Sequence, residues 1–136
     1  MKLSIERRAV AAVKAMAVTR VDVERLTKAI GAELAKCPGV KGGLVFVHEP
    51  GRTPFQIDPE DITHLKLAYT PEVRDSEFGG HDYMDDDEID YYLSEECQHC
   101  LSAHGLVRQR RIARQKHGRA KAAVTKLGRE LMKGGE

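Results

Sequence analysis

Hydrophobic positions recur at helical spacing over most of the chain. Ile5, Ala9, Val13 and Met16 form one stripe, and the cations Arg7, Arg8 and Lys14 fall off it, which predicts a short helix over 4–17. Val23, Leu26, Ile30 and Leu34 form a second stripe. Thr19 is placed to cap it, with Asp22 three residues later in the capping-box position, and Cys37-Pro38-Gly39 is placed to stop it. Two short helices with matching stripes predict an N-terminal αα-hairpin. A DNA-reading helix-turn-helix fits poorly, because Asp22 and Glu24 at the start of the second helix would repel phosphate.

The middle of the chain changes character. Leu44-Val45-Phe46-Val47 is a strand run, Glu49-Pro50-Gly51-Arg52 is turn chemistry, and Phe55-Gln56-Ile57 reads as the returning strand. A two-stranded hairpin is marginal alone. The alternation across residues 62–69 offers a third strand, although Asp58-Pro59-Glu60-Asp61 is also a good helix start. Residues 70–84, with Pro71 and Gly79-Gly80, read as loop. From Asp86 to Lys133 nearly everything favours helix. A seam Leu93, Cys97, Cys100, His104, Val107 gives way to a second, phase-shifted seam Ala113, His117, Ala120, Val124, Leu127, Leu131. This segment is either one long arm or a helical hairpin with its bend near His117-Gly118. The expected fold is therefore α+β and predominantly helical. It has an N-terminal αα-hairpin, a small β-hairpin or three-stranded element, and a long C-terminal helical arm or helical hairpin. The expected organisation is a globular region at 1–84, a charged arm at 85–133 and a disordered tail at 134–136.

Charge sharpens this picture. The 136 residues carry 22 Lys and Arg against 21 Asp and Glu, a net of +1. By segment, however, residues 1–50 are +4, residues 51–100 are −11 and residues 101–136 are +8. The acidic block peaks at Asp82, Asp85, Asp86, Asp87, Glu88 and Asp90. Of the basic block, Arg108, Arg111, Lys116, Arg119 and Lys126 are candidates to track a nucleic-acid backbone. No aromatic residue lies in 101–136 to stack a base, so such binding would be led by phosphates and weakly selective. Three other readings of the charges stand beside it. The acidic and basic blocks would attract each other, within the chain or between copies. The acidic residues Asp82, Asp85, Asp86, Asp87 and Glu88 would suit a protein-binding surface, and the basic helix would suit the solvated face of a coiled coil. A helix with one apolar seam needs a partner, so a homo-oligomer through the C-terminal helix is also expected.

The most specific chemistry is Cys97-Gln98-His99-Cys100-Leu101-Ser102-Ala103-His104. On a continuous helix Cys97, Cys100 and His104 fall at i, i+3 and i+7 and share a face. Thiolate sulfur with imidazole nitrogen is the ligand set of zinc, Zn2+. Three ligands leave the tetrahedron open. His81, in a glycine loop able to fold back, is the favoured fourth, and His64, Cys37 or a residue of another subunit are its rivals. The competing reading is that Cys97 and Cys100 are small buried apolar residues on the seam and His104 a satisfied polar neighbour. Only three cysteines occur, which is not a disulfide framework.

No catalytic constellation stands out: there is no phosphate-binding glycine loop, no Gly-x-Ser-x-Gly elbow and no His-Glu-x-x-His. The expectation is a protein that is not an enzyme. No run of about 20 apolar residues offers a membrane span, and Met1–Arg8 has no apolar signal core, so no membrane partner and a cytoplasmic location are expected.

Residues 79–133 combine Gly-Gly-His-Asp-Tyr, the Cys-x-x-Cys-x-x-x-His run and a helix rich in Arg, Lys and Ala. In this they resemble small uncharacterised phage- or prophage-encoded accessory proteins. The resemblance implies a small accessory binding protein acting on host or phage macromolecules, with no catalytic residues to carry over. On the residues, the leading expectation is a zinc-stabilised accessory protein engaging nucleic acid or a nucleoprotein complex through its basic C-terminal helix. The alternative is an inhibitor or adaptor of a host enzyme or defence complex, using the acidic 82–90 region and a helical seam. The third is a structural coiled-coil oligomer.

Overall fold

The computed structural model describes residues 4–40, 63–70, 72–73 and 81–134. Their elements are α1 (Ile5–Leu34), α2 (His64–Tyr69), β1 (Glu72–Val73), β2 (His81–Asp82), α3 (Asp86–Glu96) and α4 (Gln98–Gly134). The α+β expectation is overturned. The β structure among these residues is a two-residue antiparallel pairing, Glu72 with Asp82 and Val73 with His81, too short to form a layer. The hairpin read at 44–57 lies outside the described residues.

Of the third strand read at 62–69, His64–Tyr69 is helical, and Ile62 lies outside the described residues. Thr63 accepts a hydrogen bond at its Oγ1 from the Lys66 N–H (3.0 Å) and caps α2. Leu65, Ala68 and Tyr69 then share one buried face at helical spacing, which overrides the apparent alternation. The N-terminal αα-hairpin is likewise replaced by one helix of 30 residues. Thr19 does not cap a second helix. Its hydroxyl bonds back to the Ala15 carbonyl (2.8 Å) and is held by the turn before it, so α1 runs through. The real interruption lies at Cys97, whose extended backbone (φ −159°, ψ 112°) separates α3 from α4. No turn interrupts the helix near His117, because α4 is continuous for 37 residues. Among the described residues no helix is long and apolar enough to cross a membrane.

The chain divides into two compact units that are not consecutive in sequence. One joins Met1–Thr27 to Arg108–Glu136, and the other is Lys28–Val107. In the first, the two helix segments run antiparallel. Arg8 meets Glu130 (3.9 Å), Thr19 meets His117 (3.0 Å) and Thr27 meets Arg110 (3.4 Å), so numbers rise along one helix as they fall along the other. Ala12, Leu26, Ala113, Ala120 and Leu127 are buried there. Small residues at most of these positions leave room for close helix packing.

The second unit holds the larger core: Ile30, Leu34, Leu65, Ala68, Tyr69, Ile89, Leu93, Ala103 and Val107, with all three cysteines among them. Its helix α3 begins at a reciprocal capping box. The Glu88 N–H donates to Asp85 Oδ1 (2.8 Å), and the Glu88 carboxylate accepts from the Asp85 N–H (3.4 Å).

Candidate metal centre

Four element ends converge inside the second unit. Cys37 lies in the turn that closes α1, with its N–H on the Leu34 carbonyl and its own carbonyl accepting from Val40 (3.0 Å each). His64 is the first residue of α2, Cys97 is the hinge between α3 and α4, and Cys100 is in the first turn of α4. The hinge matters because Cys97 caps both neighbours. Its N–H bonds the Leu93 carbonyl (2.9 Å), and its carbonyl accepts from Leu101 (3.0 Å). The Cys-x-x-Cys pair therefore spans a knuckle rather than one helix face.

The ligand atoms of Cys37, His64, Cys97 and Cys100 all lie within 4.8 Å of one another, close enough to hold one metal ion. Cys37 Sγ is 3.4 Å from His64 Nδ1. A tetrahedral ion with metal–sulfur bonds of about 2.3 Å and metal–nitrogen bonds of about 2.0 Å would set such neighbours roughly 3.5–3.8 Å apart, so small movements would close the shell. The three sulfurs are free thiols, not a disulfide. Cys37, Cys97 and Cys100 are 2%, 8% and 0% exposed, and His64 is half-buried.

The local electrostatics prepare these sulfurs unequally. Burial alone would push the Cys37 thiol up, but hydrogen bonds from the His64 and Gly39 backbones and from the His64 ring outweigh it and lower it to about 7. Burial dominates at Cys100 and pushes that thiol far up, opposed by a backbone hydrogen bond from Leu65. Backbone N–H groups aimed at sulfur stabilise thiolate, the form that binds metal. A dication would supply the remaining charge that Cys100 needs to ionise.

Comparison with protein-family models, curated protein sequences and solved structures returns no match. The reading of this site therefore rests on its own geometry.

Of the ligands expected from sequence, Cys97 and Cys100 enter the cluster. Cys37 and His64, which were rivals for the fourth place, supply the other two donors. His104 is not in it. Cys97 sits in extended backbone, so the i, i+3, i+7 face never forms, and His104 points into a separate buried contact. It is fully buried, with Nδ1 2.6 Å from the Tyr69 hydroxyl and Nε2 3.2 Å from Asp86 Oδ1. The ring is thus set between the tyrosine hydroxyl on one side and the Asp86 and Asp90 carboxylates on the other. The Tyr69 and His104 rings meet edge to face, with centroids 5.6 Å apart. This contact ties the end of α2 to α4 one turn beyond the ligand each helix supplies, and so positions His64 against Cys100. The His81 backbone pairs with Val73, and its side chain lies outside the described residues. His99 is exposed beside Glu33 (3.5 Å).

The acidic candidates divide by role. Asp85 and Glu88 form the cap of α3, and Asp86 faces His104, with Asp90 3.8 Å from the same ring nitrogen. Asp87 is exposed, and Asp82 is placed only through its backbone pairing with Glu72. Among the basic candidates, Arg108, Lys116, Arg119 and Lys126 are exposed on α4 and Arg111 is half-buried. Arg119 and Lys126, with Arg129 and Lys133, fall within an arc of about 80° on the side of α4 away from Ala113, Ala120 and Leu127. Lys116 lies outside that arc.

The signals that favour Cys37 and His64 over His81 and His104 are modest in the sequence. Cys37 is a cysteine at a helix stop, and His64 follows a Thr able to cap. Both mark helix ends where a side chain can turn towards a shared point.

Proposed function

We propose that this chain is a non-enzymatic, nucleic-acid-associated accessory protein. In this reading a zinc ion clasps the second unit through Cys37, His64, Cys97 and Cys100. Three thiolates and an imidazole are the donors zinc takes in closed structural sites. Four protein donors leave no open position for a substrate, which argues for a structural rather than a catalytic ion.

The observation that carries the nucleic-acid reading is how charge divides between the units. The unit built from residues 1–27 and 108–136 holds sixteen basic and five acidic residues, a net of +11. Residues 28–107 hold six basic and sixteen acidic, a net of −10. Pairing of α1 with α4 adds the basic N-terminus to the basic C-terminus on one helix pair. Such a surface repels itself and gains stability from a polyanion whose condensed counterions it can release. Arg119, Lys126, Arg129 and Lys133 provide a backbone-tracking edge along α4.

The test is fluorescence anisotropy with a labelled duplex of arbitrary sequence, repeated over a range of salt concentrations. If about four phosphates are neutralised, the logarithm of the affinity falls against the logarithm of salt with a slope of roughly −3.6. Binding absent at low salt, or indifferent to salt, refutes the reading.

A further inference from the structure

We infer that copies of this chain associate head to tail, the tyrosine-bearing face of α3 in one copy seating in the apolar groove on the helix pair of the next. The groove, about 550 Å³, runs along α1 beside α4. Its α1 wall is the line Val13, Ala17, Val21, spaced by four residues, with Arg20 and Lys121 on the rim. The two valines are 48% and 62% exposed, so the line is open to a partner. Ala17 makes a notch between them.

The opposite element has the matching relief. Asp87, Tyr91 and Glu95 are also spaced by four along α3 and also border one groove. Tyr91 stands at the centre of that line and is 72% exposed. Lines of side chains spaced by four are the ridges that interdigitate when two helices pack. Tyr91 entering the Ala17 notch would bury the ring between the valines. Asp87 and Glu95, each about 6 Å from it along the helix axis, would reach the cationic rim. Among the described residues Lys121 has no ion pair, and the Arg20 ion pair with Glu24 is solvent-exposed.

Charge selects this pairing over the symmetric ones. A two-fold contact between helix pairs sets +11 against +11, and one between α3 faces sets carboxylate against carboxylate, both of which are repulsive. Only the unlike surfaces attract. The contact therefore joins two different patches, α3 of one copy and the groove of another. It does not depend on the nucleic-acid reading, so a chain that fails to bind duplex still assembles.

The test uses the full chain, freed of nucleic acid, in light scattering across a concentration series at low and high salt. The expected mass exceeds that of one chain at low salt and falls as salt rises. Two variants with helical content unchanged by circular dichroism complete it. Ala17→Glu fills the notch with a carboxylate, and Tyr91→Ala with Glu95→Lys removes the knob and reverses a charge. Each alone weakens assembly by about tenfold or more, the equivalent of 1.4 kcal/mol. Mixed together they form a one-to-one pair, because the α3 face of the first variant and the groove of the second remain intact. A single-copy mass at every concentration, assembly that survives either variant, or a mixture that stays monomeric would overturn the inference.

Discussion

Chelation is the perturbation that tests the proposed zinc clasp most directly. An ion held by Cys37, His64, Cys97 and Cys100 binds the folded second unit far better than the unfolded chain, where these groups lie 27 or more residues apart except for the Cys-x-x-Cys pair. With free zinc at a thousand times its dissociation constant, this preference is worth about 4 kcal/mol of stability. The entropy of unfolding is about 2.1 cal/mol/K per residue. If all 136 residues unfold together, chelation therefore lowers the melting temperature by roughly 14 °C. If Lys28–Val107 melts as a separate unit, the shift is roughly 24 °C. Circular dichroism at a helical wavelength, with bound zinc measured in the same samples, reads the effect. Cys100 is fully buried, so Cys100→Ser leaves a hydroxyl in an apolar site as well as removing a ligand. That variant should melt at or below the chelated wild type and show no further shift with chelator. An unchanged melting temperature in chelator, or full zinc retention by Cys100→Ser, refutes the assignment.

Other perturbations separate the remaining contacts. His104→Phe should destabilise by about 1–3 kcal/mol, because the Tyr69 hydroxyl loses its 2.6 Å partner. It should still bind zinc and still respond to chelator, whereas loss of the chelator shift would make His104 a ligand. In metal-free protein the two displaced thiols act in opposite directions with pH. The Cys37 thiol is lowered from 9.0 to about 7, so its contribution is complete above about pH 9 and is lost as pH falls through 7. The Cys100 thiol is raised, so above about 9 the unfolded chain ionises first and stability falls. A urea midpoint that rises from pH 7 to 9 and then declines is expected, and a flat profile would contradict it. Asp85→Ala removes the α3 capping box and should cost about 1 kcal/mol by urea melting, with zinc content unchanged. Arg119→Glu with Lys126→Glu should flatten the salt dependence of duplex binding by roughly two units of slope, and an unaltered slope would place the phosphate contacts elsewhere.

The sequence alone determined the helical character of most of the chain, the helix start near Asp86, the stop after Leu34, the basic α4 and the choice of Cys97 and Cys100 as candidates for a cluster close enough to hold a metal ion. These are local properties: periodicity, caps and residue chemistry act over a few positions and can be read without neighbours. The tertiary structure decided the rest. Thr19 bonds its own helix instead of starting another, and His64–Tyr69 forms a helix because Leu65, Ala68 and Tyr69 find a core to face. The extended backbone at Cys97 turns what reads as one helix face into a knuckle, taking His104 from the ligand set and giving it to Tyr69 and Asp86. Cys37 and His64 meet Cys97 and Cys100 only because four helix ends close on one point. The joining of two basic segments into one helix pair is equally invisible in the order of the chain. Long-range convergence depends on which faces find each other in the folded core, and no local pattern encodes that.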